Sequence, residues 1–231
     1  MTSTPSTVAG VIDRLRAIDQ DLPAHDGAAV FNRMYLTITE RVATSLDSRG
    51  FKDPAFMADL DVRFALLWLD AYAAATAGDP IPKAWAPLFE QRDAEGLLPV
   101  QYAVGGMNAH IEHDLPLAVV QTCLARRATP RRRAVRDDYE AVNAILAEVE
   151  SDVRRSFLSE VGLRLDEEVG PVVHLVSSWN IDKARDLAWV SVEALWTLRR
   201  LELLYERYVA ALASTVGMAS RCLLTPVLVS L

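Results

Sequence analysis

The chain has 231 residues, 51% hydrophobic and 24% charged, which is ordinary globular composition and enough for one large core. Its net charge of −7 argues against nucleic acid as a partner, since nucleic-acid binding needs a basic field. The two cysteines, Cys123 and Cys222, form no Cys-x-x-Cys, which excludes a thiolate zinc site and a dithiol redox motif and suits a reducing compartment.

Helix formers dominate, Gly and Pro fall at element ends, and no stretch sustains strand alternation, so the expected class is all-α, with roughly six to eight helices. The start, Met1 to Gly10, is polar and lacks the basic and apolar regions of a signal peptide, and a cytoplasmic location is expected. No segment reaches the roughly 18 uncharged apolar residues of a membrane span.

Residues 1–7 read as a disordered lead-in. A first helix over about 8–19 places Val8, Ile12, Leu15 and Ile18 on one side. A second, over about 28–47, carries Phe31, Met34, Tyr35, Ile38, Val42 and Leu46 at helical spacing. Asp53-Pro54 then forms an N-cap followed by proline at the first helical position. The third helix, about 54–77, is apolar nearly all round after Phe64 and is expected to be central; Trp68 and Tyr72 read as core. A short helix holds Trp85, Leu88 and Phe89.

The stretch from Gln101 to Arg126 holds the pattern of greatest chemical interest. His110, His113 and Asp114 stand at i, i+3 and i+4, which puts the three side chains on one helical face. Gly105-Gly106 precedes them and permits close backbone approach. Pro116 follows, lacks an N–H, and sets its ring against the carbonyl of Glu112, so a kink is expected here.

Further along, Arg126, Arg127, Arg131, Arg132, Arg133 and Arg136 form a basic run. It reads as a solvated turn or as a dock for an acidic partner. A long helix over about 136–158 turns Tyr139, Val142, Ile145, Leu146, Val149 and Val153 inward. A final helix over about 180–213 is expected to build its core stripe from Ala184, Leu187, Ala188, Leu195, Leu198, Leu201 and Leu204. With no internal repeat or linker, residues 8–213 read as one domain and residues 214–231 as an apolar extension that packs on the core, makes an oligomer contact or is poorly ordered.

Gly106-Met107-Asn108-Ala109-His110-Ile111-x-x-Asp114-Leu115-Pro116 resembles a bacterial all-helical family described as a domain of unknown function. Phe31 to Thr39, Asp138-Tyr139-x-x-Val142-Asn143-x-x-Leu146 and Ala184-Arg185-x-x-Ala188-Trp189 support the resemblance, which spans about residues 20–210. It implies a compact helical fold with a shared polar centre at His110 and Asp114, and it supplies no activity.

Three readings of that centre follow from the residue types. One is a buried hydrogen-bond network that fixes helix packing. Another is a divalent metal site, zinc, iron or manganese, on His110, His113 and Asp114, completed by His25, Asp26 or His174. The third is metal-free acid–base chemistry, in which Asp114 orients His110 and Asn108 offers an amide to a developing oxyanion. Arg185 borders an apolar stripe and needs a partner if buried, such as Asp114 or a ligand carboxylate. Asn143 is a buried amide or a wall of the site.

No P-loop, dinucleotide glycine fingerprint or Gly-x-Ser-x-Gly is present. The expected function is a small-molecule enzyme, with hydrolysis and cyclisation among the reactions open to it. The alternative is a non-catalytic interaction module that uses the arginine run and the C-terminal extension.

Overall fold

A computed structural model describes residues 4–48, 50–161 and 179–226, and the side chains of all of these except 149–161. Within them the chain is helical throughout and contains no strand. Helices α1 (Val8–Asp21), α2 (Gly27–Asp47) and α3 (Pro54–Ala77) match the periodic segments read from the sequence. Thr7 caps α1 through a bond from the Gly10 N–H, 3.1 Å, and Asp53 caps α3 with Pro54 behind it. The short α4 (Ala86–Glu90) follows.

The centre of the molecule is a continuous rod: α5 (Pro99–Ala109), a π-helical turn over His110–Asp114, and α6 (Leu115–Ala125). Nearly every side chain from Val100 to Val120 is buried. Such an all-apolar helix has no solvent face and must be surrounded. Helices α2 and α9 cover α5, whereas α3 and α8 cover α6. Here α7 is Arg133–Val161, α8 is Ile181–Leu198 and α9 is Glu202–Leu223.

Buried polar side chains fix how these helices meet. The Asn32 amide donates to the Leu15 carbonyl at 2.8 Å and accepts from Trp68 Nε1 at 3.2 Å, which joins α1, α2 and α3. Asp138 on α7 accepts from the Lys52 and Asp53 N–H groups, at 2.7 and 2.8 Å, just before α3 begins. Asp26 caps α2 and pairs with Arg92. Left unpaired, each of these groups would cost about 1–3 kcal/mol.

The last third of the chain departs from the expected pattern. The single helix expected over about 180–213 is two helices, broken at Arg199–Leu201. Leu201 and Leu204, expected in the core, lie at and beyond the break and are exposed, and Leu187, also expected in the core, falls on the outer face of α8, whose buried stripe is Ile181, Ala184, Ala188, Val192 and Leu195. In the other direction, α9 runs unbroken across residue 213 to Leu223. Gln101 Nε2 holds its end by donating to the Leu223 and Thr225 carbonyls, at 2.9 and 2.8 Å, and Leu224 packs over Gly105. The segment from Ser214 to Leu224 is therefore part of the helical body, and residues 227–231 lie outside the described part. Among the described residues no helix is long and apolar enough to cross a membrane.

Candidate active site

The π turn sets the geometry of the site. Pro116 cannot donate a hydrogen bond, and its ring excludes the carbonyl four residues back. The chain widens by one residue just before it: the Leu115 N–H bonds to the His110 carbonyl at i−5. The kink expected from Pro116 is realised as this π segment, a form often found at functional sites.

Asp114 is the hub. Its Oδ2 accepts from His110 Nδ1 at 3.0 Å and from Trp85 Nε1 at 2.9 Å, while Oδ1 accepts from His113 Nδ1 at 2.7 Å. All three of its described donors are buried with it. Burial pushes the Asp114 carboxyl up, but the two histidine bonds more than offset this and leave it below the usual carboxylate range. An anionic Asp114 makes Nδ1 of each imidazole the protonated nitrogen. The far nitrogen of His110, Nε2, is then a bare acceptor.

His110 Nε2 is buried and has no partner among the described residues. The ring is held among aromatics: Phe64 lies flat on it, while Tyr35, Phe31 and Trp85 meet it at steep angles. Gly106 is required for this packing, because a Cβ there would stand 2.4 Å from the Phe31 ring. Burial lowers the His110 pKa against the opposing pull of Asp114.

His110 lines a cavity of about 60 Å³. Its walls are mostly aliphatic and aromatic, from α2, α3, α7 and the central rod. Two further lining atoms lack a partner: the Tyr35 hydroxyl and Asp61 Oδ2. Burial pushes the Asp61 carboxyl up to about 7, so that near neutral pH it is a poised acid. Burial, then the charge of Asp61, raises the Tyr35 hydroxyl well above its ordinary value and keeps it a neutral donor.

Arg185 lines the same cavity and is buried. Its Nε donates to Asn143 Oδ1 at 2.5 Å, an Nη2–H donates to the Tyr139 carbonyl, and the guanidinium lies 4.1 Å from the Tyr139 ring centre. The Tyr139 hydroxyl returns a bond to the Arg185 carbonyl at 2.8 Å.

The expected site residues thus fall into separate groups. His110, His113 and Asp114 are in mutual contact. Arg185 and Asn143 bond to each other, and Arg185 forms no ion pair with Asp114. Asn108 points elsewhere: its amide donates to Ser220 Oγ at 3.1 Å and holds α9 rather than facing the cavity. Both imidazole Nδ1 atoms are turned to Asp114, and among the described residues no three His, Cys, Asp or Glu side chains converge as metal donors. Asp26 is bonded to Arg92, His25 is exposed, and His174 lies outside the described residues.

Tyr35, Asp61 and Phe64 are the additions made by the structure. Asp61 carries a signal in the sequence. It shares the buried stripe of Met57, Ala65 and Trp68, where an acid has no solvent. Tyr35 carries none, since its spacing is that of a core residue.

A family of unknown function (DUF5995) matches residues 8–226, beyond both ends of the span read from the motifs. No curated protein and no solved structure matches the chain.

Proposed function

The chain belongs to this family of unknown function, and because membership brings no activity with it, we propose one from the geometry: a small-molecule acid–base enzyme. In this reading His110 Nε2 takes a proton from a substrate carbon next to a carbonyl, or from a water. Asp114 holds the imidazole in the required tautomer and stabilises the imidazolium that forms. The Tyr35 hydroxyl and the protonated Asp61 donate to the oxygen on which charge develops. In the carbon case the C–H bond breaks and its electron pair becomes the C=C bond of an enol, while the carbonyl π pair moves to oxygen, which takes a proton from Asp61; the reverse steps return a proton from His110 to the carbon, so that hydrogen exchanges with solvent.

The observation that carries this is that three residues lining one apolar cavity, His110, Tyr35 and Asp61, each hold a buried polar atom without a hydrogen-bond partner among the described residues. A network serving packing alone would satisfy them, since each costs about 1–3 kcal/mol when left bare. Among the described residues no Ser, Thr, Cys or Lys lines the cavity, so an activated hydroxyl, thiol or amine nucleophile has less support than proton transfer. Metal assistance through His110, His113 and Asp114 has less support too, because these donors are turned toward one another.

The test is proton exchange in D2O. A panel of small ketones and oxo acids is followed by proton NMR with wild-type protein and with His110→Gln. Enzyme-dependent loss of a C–H signal, absent in His110→Gln, supports the reading. Exchange or turnover that survives in a folded His110→Gln protein sinks it.

The interaction-module reading draws less support. Arg126 pairs with Asp59, and Arg136 pairs with Glu140 and stacks on Trp189, so the basic run is partly internal. Arg127, Arg131, Arg132 and Arg133 remain exposed for an acidic partner. The cytoplasm remains the location proposed from the sequence.

A further inference from the structure

We propose that the cavity takes a small monocarboxylate with a compact apolar body, anchored through its carboxylate by Arg185. The inference rests on the acid–base reading for the chemistry at His110, and names the substrate class for that site.

Arg185 is only 5% exposed, yet among the described residues no carboxylate lies within ion-pair distance of it. Its described side-chain bonds are to two neutral oxygens, Asn143 Oδ1 and the Tyr139 carbonyl. A buried cation with no anion in direct contact is costly, Asp182 and Asp186 acting on it only from beyond ion-pair distance, and an arginine stays charged. A guanidinium offers five N–H donors in a plane, and the two bonds leave further donors for a ligand. Asn143 and the Tyr139 ring hold that plane in place. The arrangement is a pre-oriented half of a carboxylate–arginine pair.

The rest of the cavity sets what the carboxylate carries. The wall also includes Ile38, Val42, Met57, Leu60, Val142 and Leu146, which favours a hydrocarbon body. A cavity of about 60 Å³ holds about four to six water-sized groups, which suits a short-chain or single-ring acid. Among the described lining residues Arg185 is the one permanent cation, so a single negative charge fits better than a phosphate dianion.

The experiment is calorimetric titration of the full chain with butyrate, 3-methylbutanoate and benzoate, with their primary amides, and with inorganic phosphate. At least one carboxylate is expected to bind tenfold or more tightly than its amide and than phosphate. Arg185→Lys, checked for fold by near-UV circular dichroism, should weaken that binding at least tenfold. Equal binding of acid and amide, tighter binding of phosphate, or no carboxylate binding overturns the proposal. If Arg185→Lys does not fold, Leu146→Phe, which narrows the cavity beside an intact Arg185, must abolish binding of the largest acid or the proposal falls. The two readings fail separately. Carboxylate binding without exchange in D2O defeats the acid–base reading alone, and exchange confined to neutral ketones defeats the carboxylate anchor alone.

Discussion

Phe64 lies flat on His110, with ring centroids 3.6 Å apart and planes 6° from parallel. One face of the imidazole is thereby closed to water and the Nδ1 edge is closed by Asp114, so Nε2 is the ring atom left to act. Burial is the largest cause of the lowered His110 pKa. Phe64→Leu should therefore admit water and move the His110 pKa upward, toward the unperturbed value, as read by NMR titration. Loss of ring positioning should also lower turnover by about 10–100-fold, since small misplacements at a reacting group have effects of that size.

Asp114 accepts from three buried donors, and its replacements should separate structure from chemistry. Asp114→Ala leaves Trp85, His110 and His113 without their acceptor and should cost about 3–5 kcal/mol in denaturant unfolding. Asp114→Asn preserves shape better but can present an N–H to His110, favouring the wrong tautomer. It should remain folded and lose proton exchange at least a hundredfold. A folded Asp114→Asn protein with unchanged exchange would show that the His110–Asp114 bond serves packing only.

Asp61 makes a signed prediction about pH. Its pKa is raised in the folded state, from 3.8 to about 7. The folded protein therefore holds the extra proton between these values. The resulting stability is full below the unfolded pKa and is lost as pH rises through about 7. Asp61→Asn abolishes this dependence. Its Tm should gain on wild type between pH 5 and pH 8.5, by the equivalent of roughly 2–4 kcal/mol. His110 acts in the opposite sense: its pKa is lowered, so its contribution falls as pH drops below the unfolded value. A Tm difference between Asp61→Asn and wild type that does not change with pH would rule out a buried, titrating Asp61.

The adjacent glycines of α5 should differ in tolerance. At Gly106 an added Cβ would meet the Phe31 ring at 2.4 Å, inside the aromatic cluster around His110. At Gly105 it would meet Leu224 at 3.0 Å, a flexible side chain near the end of α9. Gly106→Ala should destabilise by about 2–3 kcal/mol or more and disturb the His110 NMR signals. Gly105→Ala should cost clearly less, offset by the higher helix propensity of alanine. Equal losses in chemical denaturation would contradict the packing described here.

Much of this fold was legible because its early helices obey local rules. Asp53-Pro54 marks the start of α3, and the Phe31–Val42 stripe marks the buried face of α2. The His110–Asp114 contact was legible too, since i, i+4 spacing brings such side chains together in any helix-like turn. The far half of the site was not. Tyr35 and Asp61 reach the cavity only through the packing of α2 and α3 on the central rod, which no local period encodes. The Arg199–Leu201 break was hidden because Leu198, Leu201 and Leu204 keep helical spacing across it. A local contact accompanies the break: the Arg199 guanidinium stacks 4.1 Å over Trp196, three residues back, and bonds to its carbonyl. Asn108 was misread because it neighbours His110 in sequence while pointing to another side of the rod.

The π turn also has a consequence for lineage. A π turn is an α-helix with one residue too many, and here the surplus residue lies between two halves anchored on their own account, α5 by Phe31 and Leu224 at its glycines and α6 by its packing on α3 and α8. Removing one residue from His110–Asp114 would let the rod return to an unbroken α-helix with its two halves near their present orientation, because the surplus is taken up within the turn. The site can therefore be gained or lost by a single codon. A descendant lacking that codon would retain a helical scaffold of this kind with the His110–Asp114 pair dismantled.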